Sequence, residues 1–292
     1  MIKKLLSVSV IISALSAGSA FAGVHVLDFD YDAQGQKIQN GTIIDNQYAA
    51  WGVTISGCNL NGDLDGGSHV DGKCNDKSWN DNEEQRQISF DTSLSGTRDT
   101  DLEFVYDAGS DSYESRRSHA DYLPLTEYEN YYSNLANELP NNHGNLANAW
   151  KQPGNVMIIN EWHDCPNGCS NPDDEGQRPA GFFSFDFTSP VSIVSLDFFD
   201  IEMPEAQIGT DAAKVFFHLA NGTIFEQVPV LGDGGYGRET YNTMFEVTKL
   251  VVNMPGSGAI NNLVYKTAEV SAPGAAILLA LSLGGLVLRR KK

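Results

Sequence analysis

The sequence predicts an all-β protein, an antiparallel sandwich or barrel. Short runs of β-branched and aromatic residues recur along the chain and end at Gly, Asn, Asp or Pro. Asn221-Gly222 lies between two such runs and is typical of a β-hairpin turn. No segment with helical periodicity separates the strands, so the pattern disfavours an α/β fold.

The strands are predicted from period-two alternation or from continuous apolar runs. They cover Val24–Asp30, Ala50–Ile55, Gln87–Phe90, Val156–Ile159, Phe182–Phe187, Val191–Phe199, Lys214–Leu219, Thr223–Phe225, Val247–Val252 and Ala259–Tyr265. Residues 106–150 break this rhythm as a Tyr-rich insertion, in which Thr126 and Glu129 fit a capping box for a helix to about Leu139. Its tyrosines suit either packing on the sandwich or stacking on sugars.

The first 22 residues have the pattern of a secretory signal peptide. Lys3-Lys4 is followed by an apolar core from Leu5 to Leu15 and by Ala20-Phe21-Ala22 as a cleavage site. We therefore expect an exported chain that starts at Gly23.

The other end has the pattern of a single membrane-spanning helix. The apolar run Ala272–Leu288 has 17 residues, and Arg289-Arg290-Lys291-Lys292 follows it. The basic cluster is expected to stay on the cytoplasmic side, which leaves the preceding chain outside. A plain anchor helix is one interpretation of this segment.

Val270, Ser271, Ala272 and Pro273, with the apolar run and the basic end, resemble a PEP-CTERM sorting signal over residues 268–292. The resemblance implies an exosortase-type sorting enzyme as a partner. It also implies transient anchoring in the inner membrane, followed by delivery to the cell surface or the extracellular space.

The body of the chain resembles secreted PEP-CTERM proteins. Leu27-Asp28-Phe29-Asp30, the segment from Tyr48 to Ile55 and the segment from Gly256 to Leu263 carry this resemblance. It implies a lectin-like or carbohydrate-module-like jelly roll. The predicted fold is thus an antiparallel, jelly-roll-like β-sandwich domain over residues 23–267.

The charge balance is strongly acidic, with 38 Asp and Glu against 19 Lys and Arg and a formal net charge of -19. Nucleic-acid binding needs basic patches, so this balance argues against it. An acidic surface favours solubility and divalent cations.

The four cysteines all lie in the part expected to be exported, where disulfides are the default. Each pair closes a short, turn-rich loop, which favours Cys58–Cys74 and Cys165–Cys169. Zinc binding by the thiols is the alternative, since Cys165 and Cys169 have the spacing of a half-site.

Two acid-rich places are candidate calcium sites, because Ca²⁺ takes several hard oxygen ligands. The first joins Asp28 and Asp30 on the first strand to Asn261 near the end of the last strand, if those strands are neighbours. The second is Asp173-Asp174-Glu175, for which solvation with Arg178 as a partner is the alternative.

No nucleophile, zinc-protease or phosphate-loop motif is present, so no catalytic residues are assigned and the chain is not expected to be an enzyme. The predicted function is that of an exported binding or structural protein of the cell surface or the extracellular matrix. Carbohydrate is the candidate ligand, and Ca²⁺ is the candidate structural ion. The alternative is a hydrolase of extracellular polysaccharide.

Overall fold

The computed structural model describes residues 23–60, 67–68, 70–74, 87–94, 97, 99, 102–107, 112–115, 154–160, 169–174, 180–201, 214–231, 236–241, 243 and 246–268. Within these residues the protein is all-β, and the strand pairs are antiparallel. The predicted fold class is confirmed at this level. The body forms a compact unit from Val24 to Thr267.

Fourteen strands are present in the described part of the chain, together with one 3-10 turn (Ala49–Trp51). The strands are β1 (Val24–Leu27), β2 (Val53–Asn59), β3 (Gly67–Ser68), β4 (Lys73–Cys74), β5 (Gln87–Asp91), β6 (Phe104–Asp107), β7 (Ser112–Ser115), β8 (Asn155–Ile159), β9 (Gly181–Phe199), β10 (Lys214–Leu219), β11 (Gly222–Gln227), β12 (Tyr236–Thr240), β13 (Val247–Met254) and β14 (Ala259–Thr267).

The long strand β9 organises the main sheet. Its first part pairs with β2 and β13, and its second part pairs with β12 and β14. Thr188, Ser189 and Pro190 are exposed between the two parts. Proline has no backbone N–H to donate, so it suits a point where the strand passes from one set of partners to the other. The two strands predicted here are therefore one strand of 19 residues.

Ten strands belong to this sheet, in the order β11-β10-β13-β9-β14-β8-β5, with β1 on β14 and with β2 and β12 on β9. The pairing of β1 with β14 confirms that the first and last predicted strands are neighbours. β3–β4 and β6–β7 form separate two-stranded hairpins. β10 and β11 form the hairpin predicted at Asn221-Gly222, but Ala220 and Asn221 make its turn and Gly222 already pairs with Leu219.

The sheet curls, so that side chains from both parts of β9 share one core. Phe183 and Phe185 from the first part and Leu196 and Phe198 from the second are fully buried in the same cluster. A smaller cluster lies on the opposite face of β9 and β13, where Phe182 and the neighbouring apolar residues pack under Val70. The alternation of strand side chains explains why adjacent phenylalanines serve different clusters.

Local structure departs from the predicted strands in the bounds of β1 and β2 and in strands that were not predicted. Residues 49–51 form the 3-10 turn, so β2 begins at Val53 rather than Ala50. β1 ends at Leu27, because Phe29 has a left-handed backbone with a φ of 55°. β3, β4, β6, β7 and β12 were not predicted, and in β12 the segment Tyr236–Thr240 has few apolar residues.

Several predictions fall on residues outside the described ranges. These are the signal peptide (1–22), the sorting segment (269–292), the helix near Thr126 and most of the Tyr-rich insertion, in which β7 is described. In the described ranges no helix is long and apolar enough to cross a membrane. Neither Cys58 nor Cys169 is a free thiol. The disulfide pairing stays a prediction, because the side chains of the other two cysteines lie outside the described part.

Candidate functional site at the end of the first strand

The two strands β1 and β8 lie end to end along one edge of β14. Leu27 of β1 pairs with Leu263, and Met157 of β8 pairs with Ile260. Asp28–Asp30 leaves the sheet where β1 ends, and residues 154–155 enter it where β8 begins. We call this junction of residues 28–30 with residues 154–155 the seam.

The backbone of the seam is strained at Phe29. This residue is fully buried and has a φ of 55°, a left-handed conformation that bulky side chains rarely adopt. Two contacts with Tyr48 hold it: the Phe29 N–H donates to the Tyr48 hydroxyl at 2.9 Å, and the two rings meet edge to face. Strain of this kind costs about 1–3 kcal/mol and is concentrated at functional sites.

Asp28 closes the turn with its own carboxylate. Its Oδ1 accepts hydrogen bonds from the N–H groups of Asp30 at 3.1 Å and Tyr31 at 3.2 Å. Burial raises the pKa of the Asp28 carboxyl from 3.8 to about 6, against the lowering effect of these backbone donors. A neutral carboxyl is therefore favoured to a higher pH than in water.

Asp30 joins the turn to β8. Its Oδ1 accepts the N–H of Asn155 at 2.9 Å. The pKa of the Asp30 carboxyl is raised from 3.8 to about 7, first by burial and then by the charge of Asp28; Asp91 adds to this, while the Asn155 N–H and Lys37 oppose it. The two carboxyl groups therefore resist being charged together near neutral pH.

Two further residues hold the seam together. The Asn155 side chain donates to the carbonyl oxygens of Phe29 at 2.9 Å and Ile38 at 3.0 Å. Gly154 has a φ of 69°, and a Cβ at this position would overlap Asp30 Oδ2. Sequence reasoning missed Asn155 and Tyr48 as seam residues, since nothing local in the sequence signals contacts between segments so far apart.

Asn261, the third predicted calcium ligand, pairs with Asp197 of β9. Its Oδ1 accepts the N–H of Asn262 at 2.7 Å, and Asn262 Nδ2 donates to Asp197 Oδ2 at 2.9 Å. Arg238 of β12 donates from Nε to Asp197 Oδ1 at 2.6 Å and from Nη2 to Asp197 Oδ2 at 2.7 Å. This polar cluster contains the amide oxygen of Asn261 and was not predicted from the sequence.

Of the second predicted acid site, the structure describes Asp173 and Asp174. Asp174 is buried, and its Oδ2 accepts the N–H of Gly258 at 2.5 Å. Asp173 donates its N–H to Asn160 Oδ1 at 3.2 Å. Glu175 and Arg178 lie outside the described residues, as do the sorting-motif residues Val270 to Pro273.

The groups of the seam that could bind a ligand are mainly its carboxylate oxygens. Across the described ranges, no group of three or more His, Cys, Asp or Glu side chains is arranged to hold a metal ion. The seam has two carboxyl groups, and backbone carbonyls or water would have to complete a calcium shell. Hard oxygens suit Ca²⁺ or the hydroxyl groups of a sugar, and a carboxyl that keeps its proton near neutral pH suits proton donation.

Comparison with known proteins adds no relative. No protein-family model, no curated protein and no solved structure matches the chain.

Proposed function

We propose that the chain is an exported binding or structural protein of the cell surface or the extracellular matrix. The N-terminal pattern of a signal peptide and the PEP-CTERM-like tail support export and sorting by an exosortase-type enzyme. The acidic balance supports a soluble surface that does not bind nucleic acid. A sandwich-like all-β body suits such a binding role by analogy of fold, in the jelly-roll form that the family resemblance implies.

The observation that carries the proposal is the carboxylate pair at the seam. Asp28 and Asp30 lie on either side of a strained residue and have raised pKa values. At neutral pH their negative charges oppose each other, and a divalent cation between them would relieve that repulsion. Ca²⁺ is thus proposed as a structural ion at the seam, held by these carboxylates with backbone carbonyls and water.

Asn261 remains a predicted third ligand rather than a supported one. Its amide oxygen already accepts the N–H of Asn262, within the cluster around Asp197. A calcium ion at the seam would need that bond to be shared or exchanged. Asn261→Ala therefore tests the ligand set separately from the two carboxylates.

Extracellular polysaccharide is the proposed ligand of the whole domain. Calcium-stabilised β-sandwiches can present oxygen ligands and aromatic rings to sugars, and the Tyr-rich insertion supplies such rings in the sequence. Binding on a glycan array in calcium, and its loss in a chelator, is the expected result. Equal binding in calcium and in the chelator would show that polysaccharide binding does not depend on the ion.

Calorimetric titration with Ca²⁺ at neutral pH tests the ion. We expect binding to the wild-type chain and its loss in Asp28→Asn and Asp30→Asn. Asp71→Asn, which removes an exposed carboxylate between β3 and β4, is the matched control and should bind normally. Absence of calcium binding by the folded wild-type chain, or equal loss in the control, would reject the seam as a calcium site.

Hydrolysis of extracellular polysaccharide is a second candidate, favoured by one observation. The pKa of Asp30 near 7 is suited to a general acid at neutral pH, and Asp28 is a second carboxyl group close by in the chain. Release of reducing sugar from a polysaccharide that the protein binds would support this candidate. Catalysis that survives Asp30→Asn would exclude Asp30 as the acid.

A further inference from the structure

The tripeptide Asn-Gly-Thr occurs at two described places with opposite surroundings. One copy is Asn40-Gly41-Thr42, and the other is Asn221-Gly222-Thr223 at the tip of the β10–β11 hairpin. Identical local sequence makes the two copies a natural comparison, because any difference in their chemistry must come from the fold.

Asn-Gly is the sequence in which an asparagine most readily loses its amide. The backbone nitrogen of the glycine attacks Cγ of the asparagine, the Cγ–Nδ2 bond breaks, and ammonia leaves with the proton from the glycine nitrogen. Water then opens the resulting succinimide at either carbonyl, which gives aspartate or isoaspartate. Glycine favours the attack because it has no Cβ to obstruct the ring and it adopts the required dihedrals freely.

The hairpin tip leaves this reaction open. Asn221 and Gly222 are exposed, and a Cβ placed on Gly222 would meet nothing within 4 Å. The five-membered ring therefore has space to form, and water has access to open it. The Leu219–Gly222 pair must open for the attack, and it is the last pair of the ladder.

The fold blocks the same reaction at the other copy. Asn40 Nδ2 donates to Ser170 O at 3.3 Å, and Asn40 Oδ1 accepts the N–H of Asp91 at 2.9 Å. The attacking nitrogen of Gly41 donates to Ser89 O at 2.7 Å. A Cβ on Gly41 would overlap the carbonyl of Cys169, so the backbone there has no room to turn.

We propose that Asn221 is a site of spontaneous deamidation, with water as the only co-reactant, which converts the tip of the β10–β11 hairpin from neutral to anionic. The isoaspartate product also lengthens the main chain at the turn, directly beside the pair that closes the hairpin. β11 is exposed along its whole length, with Ile224 49% and Phe225 51% exposed. The modification thus alters an exposed edge strand of the main sheet.

Peptide mapping by mass spectrometry tests the proposal. The purified chain is incubated folded in mildly alkaline buffer, and the peptides containing Asn221 and Asn40 are followed for the mass change of NH exchanged for O. We expect the Asn221 peptide to convert at least about tenfold faster, since Asn40 can react only through local opening. In urea the two peptides should convert at similar rates, because their reactive tripeptides are identical.

Asn221→Gln is the matched variant, since glutamine must form a larger and slower-forming ring. It should abolish the conversion at the tip and leave the rest of the map unchanged. Equal rates at the two copies in the folded chain would overturn the proposal, as would faster conversion of Asn40. A glycan on Asn221 of the exported protein would overturn it too, because the amide would then be blocked by another modification.

Discussion

Asp30→Asn tests how much the ionised carboxylate of Asp30 lowers the free energy of unfolding. The pKa of Asp30 is about 7 in the fold, against an ordinary value of 3.8, so over this window the folded chain retains a proton that the unfolded chain releases. The contribution of this group to stability is therefore complete below pH 3.8 and is lost as the pH rises through about 7. At about 1.4 kcal/mol for each pH unit, the loss amounts to roughly 4 kcal/mol.

The contribution of Asp28 has the same sign and a smaller size. Its pKa rises from 3.8 to about 6, which corresponds to roughly 3 kcal/mol lost over that window. The two values do not add, because the charge of Asp28 is itself one cause of the Asp30 shift. Asparagine at position 30 keeps an oxygen that can accept the Asn155 N–H but never acquires the charge.

The assay is urea unfolding of the wild type and Asp30→Asn in a chelator, at about pH 4 and at about pH 7.5. Acids other than Asp28 are expected to titrate alike in both chains, so the difference between the two free energies of unfolding reports Asp30 together with its coupling to Asp28. We expect that difference to move in favour of the variant by up to about 4 kcal/mol as the pH rises. A difference that stays constant with pH would refute the assignment of a raised pKa.

Four other outcomes are expected. Gly154→Ala should destabilise the fold by about 3 kcal/mol or more in urea unfolding, because its Cβ would overlap the Asp30 carboxylate. Gly35→Ala is the control, since Gly35 also has a positive φ but has open space around it, and it should cost only about 1 kcal/mol. Arg238→Leu should cost about 3–5 kcal/mol, because it leaves Asp197 buried without its main cation; equal stability would show that the pair contributes nothing. Non-reducing peptide mapping should find cysteines paired within their own segments, and a bond between segments would contradict this; the loop of about 15 residues should contribute roughly 3 kcal/mol. The intact mass of the secreted protein should correspond to a chain that ends near Pro273. A stable membrane form that keeps the whole tail would contradict sorting.

The fold was predictable where side-chain pattern alone determines structure. β8, β10, β13 and β14 follow runs of β-branched and aromatic residues that are buried on one or both faces. β12 was missed because Tyr236–Thr240 joins β9 through backbone pairing, with Arg238 directed at Asp197 rather than into an apolar core. Pairing between distant segments leaves no signature in a short window of sequence.

The site was predictable only in part, for the same reason. Asp28 and Asp30 stand out as alternating acids beside the first strand, and their placement near β14 follows from the neighbouring first and last strands. The left-handed turn at Phe29 could not be foreseen, since a bulky residue seldom adopts it without tertiary support. That support comes from Tyr48 and Asn155, which only the folded chain brings together.

The position of β14 has a consequence for the order of folding. β14 is the last strand of the body, yet it has β9 along one edge and both β1 and β8 along the other. β1, the strand made first, thus lacks its hydrogen-bonding partner until residues 259–267 leave the ribosome, and β8 and β9 each keep a stretch of edge unpaired until then. Such non-local pairing slows folding and leaves unpaired strand edges exposed meanwhile. The main sheet is therefore completed late in synthesis, when β14 covers the unpaired edges of β1, β8 and β9.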